Sequence, residues 1–278
     1  MVNVTFYGVR GSTPCSGPDT ARYGGNTACV TVERPGEAPI VLDLGTGLRT
    51  YGLQQADGPF ACTAFVTHLH WDHVQGLPFF APVLRPGSSL QVFGPRPELG
   101  GTLADAFGGF MTPPYFPVTV DQLHGDIRFS DLDDKDVVEI GSARVHARAV
   151  PHVGLTLGYR IEWDGVSVAY VSDHQQPADD SFEVDDAVLE LCEGVDLLIH
   201  DAQYTVEEFQ QKASWGHCTV EYAVHVARTA GARTLALFHH DPTHGDDRLD
   251  CLLGIARLLG GPDLEVVAAA EGTTVSLG

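Results

Sequence analysis

The sequence predicts an α+β protein in which two mixed β-sheets pack together and are flanked by helices, an αββα sandwich. Three observations support this architecture. Strand-like segments dominate the chain as far as residue 171, strands and helices alternate after residue 181, and one more strand-like segment lies near residues 273–277. No linker, repeat or low-complexity tract divides the 278 residues, so we expect a single domain over residues 1–278.

The predicted strands are short segments of alternating or continuous apolar residues bounded by turn-forming residues. The final four are expected to be consecutive antiparallel strands, because Asp164-Gly165 forms a typical hairpin turn between the last two. In chain order the strands are residues 2–8, 27–33, 38–43, 61–66, 136–140, 143–149, 155–163 and 166–171.

Helical periodicity appears mainly in the second half of the chain. The segment 219–230 has apolar residues at a spacing near 3.6 and is followed by Gly231, a typical C-cap residue. The other helices are expected at 99–110, 181–193 and 246–259, with strands at 195–199, 234–238 and 273–277. The proline-rich stretch 111–117 predicts an irregular loop.

The composition limits the classes of partner. With 37 acidic and 16 basic residues the formal net charge is −21, which repels polyanions and disfavours a long nucleic acid but allows a small anionic substrate held by metal ions. The chain has no apolar run of about 20 residues and no basic leader, so we expect a cytoplasmic protein without membrane contact. A homodimer is compatible with the sequence.

The segment Thr67–His73 carries the strongest chemical signal. It follows the apolar residues 64–66 and places His68, His70, Asp72 and His73 within six positions. Imidazole nitrogens and carboxylate oxygens are ligands that Zn²⁺ prefers. Residues His68 and His70 share one face of an extended chain, and a following helix would turn Asp72 and His73 toward a second ion. The segment therefore predicts half of a two-metal centre.

Polar residues at the ends of other apolar strands are candidates for the remaining ligands, because sites commonly lie where strands end. His152, Asp173 and His239 each follow such a strand, and His200-Asp201 does so as a pair. Strand alternation allows only one of His239 and His240 to face the metals. We expect it to be His239.

These motifs, in this order, resemble the metallo-β-lactamase-fold hydrolases, and within them the phosphodiesterase branch that includes transfer-RNA 3′-processing endonucleases. The resemblance covers most of the chain and extends to that branch's histidine–acid–alanine motif, at Ile199–Ala202, and to its glycine–histidine–serine–threonine helix start, at Gly216–Thr219. It implies two divalent ions, with zinc expected before manganese or iron. It also implies that His68, His70, His152 and Asp173 hold one ion, and Asp72, His73, Asp173 and His239 the other.

The implied reaction is the attack of a hydroxide, bridging the two ions, on a phosphodiester. Asp72, Asp173 and His200 are the candidate catalytic residues, and His200 either donates a proton to the leaving oxygen or supports Asp173. The candidate substrate contacts are Arg10, Asn26, Tyr115 and His217. Turn stabilisation is an alternative role for Arg10 and Asn26, and His217 could instead orient the ligands.

The endonucleases carry an RNA-gripping arm between the segments that match His152 and Asp173, but here 21 positions separate these residues. We therefore expect a small phosphodiester such as a cyclic nucleotide or a short oligonucleotide. Two alternatives remain open at this point. The same fold could hydrolyse a carbonyl ester, thioester or lactone, or the protein could be a di-iron redox or non-enzymatic binding protein.

Overall fold

Two seven-stranded β-sheets form the centre of the protein. The structure, a computed structural model, describes residues 1–179 and 181–278. The first sheet is antiparallel between β14, β1, β2 and β3 and parallel from β3 to β6. Its strands, in spatial order, are β14 (Thr274–Leu277), β1 (Val2–Gly8), β2 (Cys29–Glu33), β3 (Ile40–Leu42), β4 (Ala61–Phe65), β5 (Ser89–Pro95) and β6 (Asp126–Leu132).

The second sheet has the same mixed character. Its strands are parallel from β13 to β10 and antiparallel from β10 to β7. In spatial order they are β13 (Glu265–Ala268), β12 (Thr234–Phe238), β11 (Leu197–Asp201), β10 (Val166–Val171), β9 (Leu157–Trp163), β8 (Ala143–Ala149) and β7 (Val137–Ile140).

Helices cover the outer faces of both sheets. The seven α-helices in the described part of the chain are α1 (Gly47–Leu53), α2 (Trp71–Val74), α3 (Leu103–Phe110), α4 (Asp186–Cys192), α5 (Val206–Lys212), α6 (Val220–Ala230) and α7 (Asp246–Gly260). Short 3-10 helices lie at Pro18–Thr20, Leu77–Phe79, Ala81–Leu84 and Val120–Gln122. Within the described ranges, none of the helices has the length and apolar character needed to cross a membrane.

Buried apolar residues form three clusters that correspond to the layers. The central cluster lies between the sheets and includes Phe6, Phe65, Trp163 and Phe238. A second cluster joins the second sheet to α4, α6 and α7, and a third joins the first sheet to α1 and α3. The layers therefore stack as helix, sheet, sheet, helix, which confirms the predicted fold class.

The predicted strands agree with the structure to within about two residues, but β5, β6 and β13 were not predicted. The apolar pattern of β6 is interrupted by Asp126, Arg128 and Asp131, and β5 ends in Gly94-Pro95, which rarely occur inside strands. The predicted helix 181–193 begins only at Asp186, where the Asp185 carboxylate accepts a hydrogen bond from the Ala187 amide. Helices α1 and α5 were also missed.

Candidate active site

The candidate metal ligands meet at one edge of the molecule, where strands of both sheets end. His68, His70, Asp72 and His73 follow β4 of the first sheet. Three more lie just beyond strand ends of the second sheet: His152, Asp173 and His239. His70 has an extended backbone and α2 begins at the next residue, so the chain turns sharply and brings Asp72 and His73 back toward the cluster.

One group of ligands surrounds His152. Its Nε2 lies 3.4 Å from His70 Nδ1 and 3.8 Å from Asp173 Oδ1. His68 Nε2 also lies 3.8 Å from Asp173 Oδ1, and the His68 and His70 rings are 4.3 Å apart. The ligand atoms of His68, His70 and His152 are all within 4.8 Å of one another.

The second group surrounds His73. Its Nε2 lies 3.2 Å from Asp72 Oδ2, 3.3 Å from Asp173 Oδ2 and 3.3 Å from His239 Nε2. His239 Nε2 is in turn 3.2 Å from Asp72 Oδ2 and 3.4 Å from Asp173 Oδ1. Asp173 therefore lies between the two groups. The neighbouring His240 points away, since its Nε2 donates to the Ala269 carbonyl at 2.9 Å.

The donor atoms in both groups fit metal ions. His152, His73 and His239 each use Nδ1 in a hydrogen bond, to Gly216 O, an Asp43 carboxylate oxygen and Gln203 Oε1 respectively, at 2.6–2.8 Å. These bonds leave Nε2 of each ring directed into the cluster. His68 Nε2 and Asp173 Oδ2 are buried and have no hydrogen-bond partner among the described residues. Buried polar atoms are normally paired, so a cation is the expected partner.

Burial and charge divide the histidines into two classes. Burial and, to a smaller extent, the neighbouring His73 lower the pKa of His68. Burial also lowers the pKa of His152. Burial also acts to lower the pKa of His73 and His239, but the adjoining carboxylates, Asp72 and Asp173 among them, raise both above the ordinary value. Burial acts to raise the pKa of Asp173, yet His239 and His73 lower it well below its usual range.

We expect the affinity for divalent metal ions to fall as the pH is lowered through the raised pKa values of His73 and His239. Metal binding at the second group must displace the protons on these two rings, and the neighbouring carboxylates favour the protonated form. Competition with a chelating indicator between pH 6 and 8.5 would measure this dependence. An affinity that stays constant over this range would contradict it.

Asp43 is a supporting residue that the sequence reasoning missed. Its fully buried carboxylate accepts hydrogen bonds from the Thr67 amide at 2.8 Å, the Tyr170 hydroxyl at 2.8 Å and His73 Nδ1 at 2.8 Å. It thereby joins the first metal motif to β10 of the second sheet. The sequence does contain a signal for this residue, because Asp43 directly follows the apolar strand β3 in the same way that the candidate ligands follow other apolar strands.

Replacing Asp43 by asparagine is expected to weaken the binding of divalent metal ions at the second group about 10- to 100-fold while the fold remains. The asparagine side chain is a weaker acceptor than a carboxylate for the hydrogen bonds from His73 Nδ1 and the Tyr170 hydroxyl. The His73 ring therefore loses its fixed orientation. Chelator titration would measure the affinity, with the exposed Asp57→Asn as the matched control. Equal affinities in the two variants would contradict the role.

His217 lies beside the ligands and lines the cleft above them. Its Nδ1 donates to Asp201 Oδ2 at 2.8 Å, and its ring stacks on His239 with centroids 4.9 Å apart. Because Asp201 occupies Nδ1, Nε2 is the ring nitrogen left for a substrate. The pair is therefore arranged to hold and deliver a proton.

His200 occupies a different position from the one its predicted role requires. It is fully buried, its Nδ1 donates to the Asp201 carbonyl at 2.7 Å, and its Nε2 accepts from His174 Nδ1 at 3.0 Å. Both ring nitrogens are therefore occupied, and His200 does not line the cleft. His217, and not His200, therefore stands at the cleft, while the His200 ring hydrogen-bonds to the backbone of Asp201.

Three of the four candidate substrate contacts lie outside the cleft lining. Arg10 is fully buried and donates to the carbonyls of Gly24, Asp241 and His244 at 2.6–3.1 Å. Asn26 hydrogen-bonds to Glu271, and Tyr115 projects into solvent from the loop 111–117. Only His217 lines the cleft. Arg10 Nη1 holds the loop that follows the candidate ligand His239, through the carbonyls of Asp241 and His244.

Replacing Arg10 by methionine is expected to lower the free energy of unfolding by about 3 kcal/mol, because buried carbonyls lose a charged donor. The change should also disturb Asp72, since Ser12, two residues after Arg10, donates its amide to Asp72 Oδ2 at 2.7 Å. Urea unfolding would measure the loss. The exposed Arg128→Met is the control, and a loss no larger than that control's would refute the structural role.

The ligand cluster opens into two cavities. The larger is a cleft of about 640 Å³, and its wall includes Ser12, Trp71, Tyr204, Lys212, Trp215 and Asp241 as well as ligands from both groups. A smaller cavity of about 270 Å³ is lined by His68 and His70. Its wall is mostly apolar and includes Leu69, Leu99, Val153 and Leu155.

Comparisons with known proteins agree with this geometry. The Beta-lactamase superfamily domain matches residues 48–240. Ribonuclease Z of Haloarcula marismortui is 26% identical, and the alignment covers 98% of this chain and 95% of the relative. Among solved structures, the metallo-beta-lactamase fold protein YhfI from Bacillus subtilis has 20% identity and a TM-score of 0.74, covering 99% and 98% of the two chains. Human tRNase Z, short form, has 22% identity and a TM-score of 0.69, covering 99% of both.

The relative named Ribonuclease Z bears on the predicted substrate. Its name weakens the expectation that a long nucleic acid is an unlikely substrate. The alignment nevertheless runs over 317 positions whereas this chain has 278 residues, so at least 39 positions of the relative have no counterpart here. The interval from His152 to Asp173 contains only the hairpin of β9 and β10.

Proposed function

The chain belongs to the beta-lactamase superfamily and is a metal-dependent hydrolase, and from this premise we propose that it hydrolyses phosphodiesters with two divalent ions. The convergence of both ligand groups on Asp173 is the observation that carries the proposal. His68, His70, His152 and Asp173 would hold one ion, and Asp72, His73, His239 and Asp173 the other. Five imidazoles with two carboxylates favour zinc over magnesium or calcium.

When bound, such a pair of ions supplies an activated water and stabilises negative charge on phosphate oxygens. The residues of the chain provide the ionised carboxylates and the proton donor. Asp72 and Asp173 hold their carboxylates ionised beside His73 and His239. His217 donates the proton that the leaving oxygen needs, and Asp201 fixes the ring by accepting from Nδ1.

A small phosphodiester, such as a cyclic nucleotide or a short oligonucleotide, is the proposed substrate. Two observations support it over a folded RNA: the net charge of −21, which repels a long polyanion, and the hairpin that occupies the interval from His152 to Asp173. Transfer RNA is the second candidate, and the similarity to a relative named Ribonuclease Z favours it.

The first test is hydrolysis of bis(p-nitrophenyl) phosphate by metal-analysed protein, with Zn²⁺ and Mn²⁺ added separately. We expect turnover to rise until two ions per chain are bound. A fully loaded protein that cleaves thioesters or lactones but no phosphodiester would refute the proposal in favour of a carbonyl substrate. Parallel assays with cyclic nucleotides, short oligonucleotides and a precursor transfer RNA would then separate the two candidates.

A further inference from the structure

We propose that the cleft binds a nucleoside by stacking its base on exposed tryptophans, so that the phosphate to be cleaved belongs to a nucleotide. This inference rests on the proposed function and specifies its substrate. The chain has three tryptophans. Trp163 lies in the central core and is 1% exposed, whereas Trp71 and Trp215 are 57% and 62% exposed and both line the cleft.

Large aromatic rings left in water at the mouth of a cleft commonly mark a binding surface. Nucleobases stack on such rings with little dependence on base identity, because every base offers a π face. The described cleft wall also contains Tyr204. The aromatic character of the wall therefore matches the flat faces of a nucleobase.

Both tryptophans are tied to the metal ligands by covalent neighbours and packing. Trp71 stands between His70 and Asp72, and its ring packs edge-on against Phe110 with centroids 5.4 Å apart. Trp215 precedes Gly216, whose carbonyl accepts from His152 Nδ1 at 2.6 Å. The distance from a stacked base to a phosphate at the metals is thus set by the same short segments that position the ligands.

Lys212 provides the charge that a nucleotide phosphate requires. It is the only lysine or arginine in the described wall of this cleft. Its Nζ lies 4.7 Å from the centroid of the Tyr204 ring, 5.6 Å from that of Trp215 and 3.2 Å from Asp241 Oδ2. A base surface and a phosphate-binding cation therefore occur side by side in an otherwise acidic protein.

The test compares two ligands that share a phosphate and a sugar but differ in the base. Adenosine 5′-monophosphate and ribose 5-phosphate would be titrated into the zinc-loaded protein by calorimetry. We expect the nucleotide to bind at least about tenfold more tightly. Trp71→Leu and Trp215→Leu should each reduce this preference, while ribose 5-phosphate affinity and zinc content stay within about twofold. Trp71→Phe and Trp215→Phe should each keep part of the preference for the nucleotide.

The matched control is Phe79→Leu, because Phe79 is 56% exposed but does not line the cleft. This variant should keep the full preference. Equal binding of the two ligands by the unmodified protein, or an unchanged preference in both tryptophan variants, would overturn the inference. If the preference exists but no phosphodiester is cleaved, the proposed function fails while the base site stands.

Discussion

Replacing Asp173 by asparagine is expected to reduce turnover of bis(p-nitrophenyl) phosphate by about a thousandfold or more, and to lower the number of bound ions. Asp173 Oδ2 lies 3.3 Å from His73 Nε2, and Oδ1 lies 3.4 Å from His239 and 3.8 Å from His68 and His152. An amide is neutral and offers one oxygen instead of two. Without a shared carboxylate the pair of ions would no longer be held in place, and several kcal/mol of transition-state stabilisation would be lost. Each 1.36 kcal/mol corresponds to about a tenfold change in rate.

Metal analysis of the dialysed protein, steady-state kinetics and thermal unfolding would be measured together. Asp263→Asn, on the exposed surface, is the control and should match the unmodified protein. A folded Asp173→Asn variant that keeps both ions and full turnover would rule out an aspartate shared by two metals.

Replacing His217 by alanine is expected to slow cleavage of a dinucleotide about 10²- to 10⁴-fold, the usual range for loss of a general acid. The sugar alkoxide that leaves in this reaction needs a proton. The same variant should cleave bis(p-nitrophenyl) phosphate with a much smaller loss, because p-nitrophenolate departs without one. Zinc content should change little, since His217 Nδ1 is already committed to Asp201.

Two further variants test the assignment. Asp201→Asn should show the same dependence on the leaving group in weaker form, because Asp201 orients the His217 ring. His200→Ala should instead slow both substrates by a similar factor, since His200 is buried behind Asp201. The opposite pattern would return the proton-donating role to His200.

Much of this arrangement was predictable because the ligands follow a simple rule. Apolar strands buried between layers are visible in the sequence, and His152, Asp173 and His239 each stand immediately beyond one of them. The compact motif His68–His73 needs only a strand and a turn to gather its side chains. Local periodicity therefore identified both the two-sheet fold and the candidate ligands.

The placement of His217 at the cleft and of His200 behind Asp201 has a physical reason. Adjacent residues on β11 point to opposite faces of the sheet, so His200 and Asp201 cannot both face the cluster of candidate ligands. Asp201 does so, and it needs a partner from another segment, which is His217. The cleft wall was missed for a different reason, because Trp71 is remote in sequence from Lys212 and Trp215 and meets them only after folding.

The ligands come from both sheets, and this has a consequence for how the protein loses its structure. Neither half of the sandwich contains a complete set of candidate ligands, so bound ions would clamp the two sheets together and would bind the unfolded chain far less well. At a free zinc concentration 100 times the dissociation constant, one such site adds about 2.7 kcal/mol to the free energy of unfolding. Metal supply would then govern the lifetime of the folded chain as well as its turnover, and both are expected to rise together as zinc is titrated in.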